Sequence, residues 1–214
     1  MRVRPSLLAL APLGLVSALL GGCTKRGPLV AFLGDSLTSG WKLPESQAYP
    51  ALVQRALRAK GREVRVLNAG VSGETAAQGL KRLPAVLRRK PDVLVVALGI
   101  NDGLRGAPPE VTEASLRQIL LRAQAAHVRV LIAGLRIPAT HGDEHARRFG
   151  EIYPRLAAEL RVPLVPFLLE GVAGQPTLNY KDGLHPTAEG QTLLARNVLA
   201  PIERLLAELE AERR

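Results

Sequence analysis

The sequence is poor in several things, and each shortage removes a class of protein. Cys23 is the only cysteine among 214 residues, so no disulfide can close within the chain. Aromatic residues make up 3% of it, too few for the stacking platforms that bind single-stranded nucleic acid. Long runs of like charge are missing too. Blocks such as Arg88-Arg89-Lys90 and Arg147-Arg148 are too short for a nucleic-acid arm, so the formal net charge of +10 reads mainly as arginine spread over solvated faces, and no nucleic-acid partner is expected. An anionic membrane surface is the partner that such a charge leaves open. There is no internal repeat and no low-complexity segment. With 47% hydrophobic and 22% charged residues, the composition is that of a folded protein, and the length suits one domain with a sizeable core.

The first residues form a leader. Arg2 and Arg4 precede an apolar run from Leu7 to Leu20, which is too short to span a bilayer comfortably and has the positive-then-apolar order of a secretory signal. Leu20-Gly21-Gly22-Cys23 follows directly and resembles the lipobox of bacterial lipoproteins, where the cysteine is acylated and becomes the first mature residue. Buried acyl carbons contribute about 0.8 kcal/mol each, so a multiply acylated Cys23 would hold the protein on a membrane. The expectation is a lipoprotein-type signal peptide over 1–22, a tether over 23–28 and one domain over 29–214. The protein is expected to be exported and anchored in a bacterial cell envelope.

Beyond the leader, apolar runs alternate with segments of helical spacing. Strands are expected at Leu29 to Leu33, Val64 to Leu67, Val93 to Leu98, Val128 to Ala133 and, more weakly, Pro163 to Phe167. Helices are expected at Ala48 to Lys60, Glu74 to Arg89, Glu110 to Ala126, Ala146 to Leu160 and Thr187 to Glu212, with Pro84 kinking or dividing the second and Pro201 bending the last. Gly99 to Pro109 and Leu135 to Glu144 read as loops. The unbroken Val93-Leu94-Val95-Val96-Ala97-Leu98 suits a strand covered on both faces, as in a parallel sheet. Strand–helix alternation implies right-handed crossovers, hence a three-layer α/β/α fold with a flavodoxin-like, parallel five-stranded sheet in the order 2-1-3-4-5.

In that order strands two, one and three are neighbours, and the residues at their carboxyl ends emerge together, where open α/β sheets bind ligands. Those residues are Gly70, Ser36 and Asn101. A serine that attacks a carbonyl needs a base to take its proton, a group to orient the base, and donors for the developing oxyanion. His185 has a carboxylate, Asp182, three residues before it, a spacing that on one helical turn shares a face; Pro186 is expected at the first position of the following helix. Gly70 offers an uncrowded backbone N–H, Asn101 a neutral side-chain donor, and Ser36 an N–H near a helix start. Each segment alone is ordinary turn chemistry. No Gly-x-Ser-x-Gly elbow surrounds Ser36, which disfavours an α/β-hydrolase.

Taken in order, Gly34-Asp35-Ser36-Leu37, Gly70, Gly99-Ile100-Asn101-Asp102 and Asp182-Gly183-Leu184-His185-Pro186 resemble the SGNH (GDSL) hydrolase family. The surrounding Asn68-Ala69-Gly70-Val71-Ser72-Gly73-Glu74-Thr75 and Asn101-Asp102-Gly103-Leu104-Arg105-Gly106 look like its thioesterase I / lysophospholipase L1 / arylesterase branch. The resemblance covers roughly Leu29 to Leu205. It implies Ser36 as nucleophile, Asp182 and His185 as its partners, Ser36, Gly70 and Asn101 as oxyanion donors, and no metal or organic cofactor. Acyl esters, thioesters or lysophospholipids would be the substrates of a monomer, with Leu104, Leu135 and Ile137 on strand-end loops as acyl contacts. A carbohydrate O-deacetylase of the same superfamily, or a membrane-tethered binding module without turnover, are the alternatives.

Overall fold

Five strands pair side by side, all parallel, in the order β2-β1-β3-β4-β5. They are β1 (Leu29–Gly34), β2 (Arg65–Gly70), β3 (Val93–Ala97), β4 (Arg129–Ala133) and β5 (Leu164–Val165). The computed structural model describes residues 27–213. The expected signal peptide (1–22), Cys23 and the tether as far as residue 26 lie outside the described residues.

Every residue of β1 and β3 is buried, which is why both read as unbroken apolar runs. β2 pairs only with β1 and is the half-exposed edge. The fifth strand was expected over Pro163 to Phe167 and is two residues long. Pro163 and Pro166 flank it, and neither has an N–H to donate to the ladder.

The helices are α1 (Ser36–Ser39), α2 (Tyr49–Ala59), α3 (Ala76–Leu87), α4 (Ile100–Leu104), α5 (Pro109–Ala125), α6 (Asp143–Leu160) and α7 (Ala188–Glu212). α2 packs against α7 as one layer, while α3 packs against α5 and α5 against α6 as the other. Three expectations are corrected. The loop expected from Gly99 to Pro109 contains α4. The helix expected from Ala146 starts at Asp143, where Asp143 and Glu144 favour the positive end of the helix. Pro84 does not divide α3, because Leu83 and Val86 on either side of it are buried and hold the helix on the sheet.

The strand register sets up the functional edge. Gly34 stands level with Gly70 on one side and with Ala97 on the other, so β1, β2 and β3 end together. Gly34 is needed for space: a Cβ there would lie 2.0 Å from the Thr38 hydroxyl oxygen, so only glycine lets α1 fold back over the strand end. The buried Gln191 of α7 braces this turn, accepting from Tyr49 N–H (2.8 Å) and donating to the Leu37 carbonyl (3.1 Å). That bridge couples the helix following His185 to the residue following Ser36.

Candidate active site

Ser36 begins α1. Asp35, the residue before it, caps the helix by accepting the Leu37 N–H at 3.0 Å. Asp35 is fully buried, and its second carboxylate oxygen has no partner among the described residues. Burial pushes its carboxyl up to about 7; the Leu37 N–H opposes the rise, and the charges of Asp102 and Glu74 add to it.

The Ser36 hydroxyl lies 2.9 Å from His185 Nε2, and His185 Nδ1 lies 3.0 Å from Asp182 Oδ2. Asp182 reaches the ring through a turn, and the helical face expected from the spacing is not used. Its Oδ1 accepts the N–H groups of Leu184 and His185, both at 3.0 Å, around Gly183 at φ +68. Pro186 is not the first helical residue. It precedes the cap Thr187 and pairs with Asn179 in an isolated antiparallel bridge. Burial alone would raise the Asp182 carboxyl, but those two N–H groups and the imidazole outweigh it and hold it at about 2. The carboxylate is therefore charged at any working pH. Its contribution to stability is present above the ordinary 3.8 and lost as pH falls through about 2.

The donors divide differently from the expectation. Asn101, in α4, gives one amide N–H to the Glu74 carbonyl at 3.0 Å, which fixes the side chain and leaves its second N–H. Behind it, Asp102 accepts the first N–H of α3, from Ala76, at 2.9 Å. Gly70 does not offer a free donor. Its N–H is held by the side chain of Asn68 at 3.0 Å, and its role is spatial, since a Cβ there would sit 2.3 Å from the Ser39 nitrogen. Further along the same loop, Gly73 (φ +79) lies between Ser72, whose hydroxyl meets Ser39 at 3.2 Å, and Glu74, which receives Asn101. Among the described residues its N–H makes no hydrogen bond. Arg82 holds the loop from beneath, with two contacts to the Glu74 carboxylate at 2.7 and 2.5 Å and one to the Ala69 carbonyl at 2.8 Å.

Beside Asp182 and His185 runs a mostly apolar groove of about 420 Å³, lined by Ile100, Ile137, Phe167, Leu169 and Leu184. The exposed Arg136 also lines it, with its guanidinium 4.7 Å from the Phe167 ring centroid. Of the three expected acyl contacts, Ile137 lines this groove. Leu135 is 1% exposed and belongs to the core, while Leu104 packs against the core with its carbonyl facing His141. A larger hollow of about 570 Å³, between His127, Arg129, Arg161 and Glu212, lies at the amino edge of the sheet, away from Ser36 and His185. Among the described residues, no group of three or more His, Cys, Asp or Glu is placed to hold a metal ion.

Sequence spacing missed Trp41, whose indole stacks on the His185 ring (centroids 4.1 Å apart, planes 27° apart). It missed Gln191 as well. Both act through partners far away in sequence, which no local pattern reveals.

Known proteins share this arrangement of strands. The chain is 44% identical over 164 residues to the thioesterase 1/protease 1/lysophospholipase L1 of Escherichia coli (strain K12), covering 76% of this chain and 77% of that protein. It is 37% identical over 180 residues to an arylesterase of Vibrio mimicus, covering 84% and 90%. The crystal structure of TesA superposes with a TM-score of 0.80 at 38% identity, covering 83% of this chain and 99% of that one. Residues 32–193, from the middle of β1 into α7, match the GDSL-like lipase/acylhydrolase family, and this chain belongs to that family of hydrolases.

Proposed function

We propose that the protein is a serine esterase that hydrolyses acyl esters or thioesters, including those of lysophospholipids, through an acyl-enzyme intermediate. The observation that carries this is the unbroken line from Asp182 Oδ2 to His185 Nδ1 and from His185 Nε2 to Ser36 Oγ, at 3.0 and 2.9 Å. In the first half-reaction Ser36 Oγ bonds to the acyl carbon while His185 Nε2 takes the hydroxyl proton. The charge that develops on the carbonyl oxygen is received by the Ser36 N–H, the free N–H of Asn101 and, in place of Gly70, the N–H of Gly73. His185 then returns the proton to the departing alcohol or thiol. Water repeats the sequence on the acyl-enzyme and releases a carboxylic acid. Asp182, anionic throughout, orients the ring and balances its charge when protonated.

The groove beside Leu184 supports an acyl chain as the group bound there, since its lining is mostly apolar, with Arg136 and Asn179 as its polar members and no carboxylate. A sugar deacetylase would need polar groups in that place. The triad is complete within one chain, which supports a monomer; size-exclusion chromatography tests that. The leader sequence supports export and acylation at Cys23, checked by mass spectrometry of the native amino terminus. An anchor there would precede the start of β1, about 20 Å along that strand from Ser36.

A series of p-nitrophenyl esters from acetyl to long acyl, with acyl thioesters and lysophospholipid alongside, tests the function on purified residues 24–214. Turnover that extends to medium or long chains and disappears in Ser36→Ala is expected. Turnover of acetyl esters alone would support the deacetylase, and no turnover at all the binding module.

A further inference from the structure

The turn after α1 is built to place one aromatic ring. Gly40 (φ +75) and Lys42 (φ +62) both hold left-handed backbone around Trp41, and a lysine there is strained. The Trp41 N–H bonds back to the carbonyl of Ser36 itself at 3.2 Å. From the other side, the Tyr180 N–H bonds to the carbonyl of His185 at 2.8 Å, and its ring meets the indole edge-on at 5.9 Å. Nucleophile and base are thus each tied by a backbone hydrogen bond to one member of an aromatic pair. Between them the indole lies flat on the imidazole at 4.1 Å.

We infer that Trp41 is a positioning residue for His185, holding its ring against Ser36 and facing the imidazolium that forms in the reaction. This inference rests on the catalytic roles proposed for Ser36 and His185. The His185 ring has two in-plane nitrogens to satisfy, and Ser36 and Asp182 satisfy them, but neither fixes rotation out of that plane. A flat indole does. The indole face is also negative, so it attracts the imidazolium that forms each time the ring takes the serine proton.

Lys42 acts as the counterweight. Its ammonium lies 4.0 Å from the Trp41 centroid, and since the imidazole covers one face of the indole, the ammonium has the other. A cation there draws on the same π-electrons and weakens the indole's attraction for the transient imidazolium. The titratable and charged groups set against this pair are Asp182 on Nδ1, Ser36 on Nε2, and Lys42 and Tyr180 on the indole, 4.0 and 5.9 Å from its centroid.

The sequence holds one tryptophan, so its fluorescence reports this stack alone. In the wild-type chain over pH 4 to 9, emission is expected to titrate in step with the acid limb of kcat/KM, since a protonated imidazole quenches a stacked indole, and the transition should vanish in His185→Gln. In Trp41→Leu, kcat is expected to fall about tenfold with KM nearly unchanged, with Trp41→Phe recovering part of the loss. Lys42→Met, at an exposed position that should not disturb folding, is expected to raise kcat about two- to fivefold with KM unchanged. The inference is overturned if wild-type emission does not titrate, or titrates equally in His185→Gln, or if Trp41→Leu keeps the wild-type kcat. Failure of the catalytic assignment would look different: Ser36→Ala and His185→Gln would remain active.

Discussion

Asp35 sits between β1 and the helix that begins at Ser36, and it should make stability depend on pH in an unusual direction. It is wholly buried, its Oδ2 is unpartnered, and its carboxyl is pushed from the ordinary 3.8 to about 7. The folded state therefore keeps this proton at a pH where the unfolded chain has lost it. Between about pH 4 and 7, unfolding releases a proton and stability falls as pH rises, by up to 1.4 kcal/mol per unit; above 7 both states are ionised and the loss levels off. The full effect is ~4 kcal/mol, of which roughly 2–3 kcal/mol falls between pH 5 and 8. Asp35→Asn keeps an oxygen for the Leu37 N–H and removes the titration, so the difference in stability between the two proteins isolates Asp35 from every other group. Urea unfolding at pH 5, 6, 7 and 8 measures it. With an m-value of about 2 kcal/mol per M, the wild-type midpoint should lose about 1 M relative to Asp35→Asn across that range. A difference that stays constant from pH 5 to 8 would show that Asp35 is ionised in the fold and refute the reasoning.

Other perturbations test the neighbouring parts. Asn101→Ala should lower kcat by about 10²–10³ with little change in KM, read by steady-state kinetics, because it removes a donor and leaves the groove intact. Gln191→Leu strands the Tyr49 N–H and the Leu37 carbonyl, each costing about 1–3 kcal/mol; a denaturation midpoint matching the wild type would show that the bridge does not form. Ala173 lines the groove and is exposed, so Ala173→Trp should fold normally and fill the space. Each excluded methylene forfeits about 0.8 kcal/mol, so kcat/KM for long-chain esters should drop at least about tenfold relative to acetate, and an unchanged ratio would put the acyl chain elsewhere.

How much of this could be read from the chain depended on whether the deciding contact was local. β1 and β3 are buried on both faces, and burial leaves an unbroken apolar run in sequence, so the strands and their order were legible. β5 was overdrawn because the prolines that end its ladder are as apolar as a strand residue. α4 was invisible because Ile100-Asn101-Asp102-Gly103-Leu104 has the composition of a turn, and it takes the Asp102–Ala76 contact across the sheet to fix it as a helix. Ser36, Asp182 and His185 could be singled out because ester hydrolysis by serine demands those residue types, and the fold brings the three into one hydrogen-bonded line. Gly70 and Gly73 were not separable: they lie three residues apart, one ending β2 and one in the turn after it, and the difference is the Asn68 side chain folding onto the first. Leu135 and Ile137, both buried in the segment after β4, likewise differ only in that Ile137 also borders the groove.

A fluorophosphonate probe tests the central claim most directly, because it reacts only with a serine hydroxyl that a base has activated. Incubated with purified residues 24–214 and followed by peptide mass spectrometry, it should leave one adduct, on Ser36, absent in Ser36→Ala and strongly slowed in His185→Gln. Labelling that persists in Ser36→Ala, or a Ser36 that stays unmodified in the wild-type chain, would contradict the account.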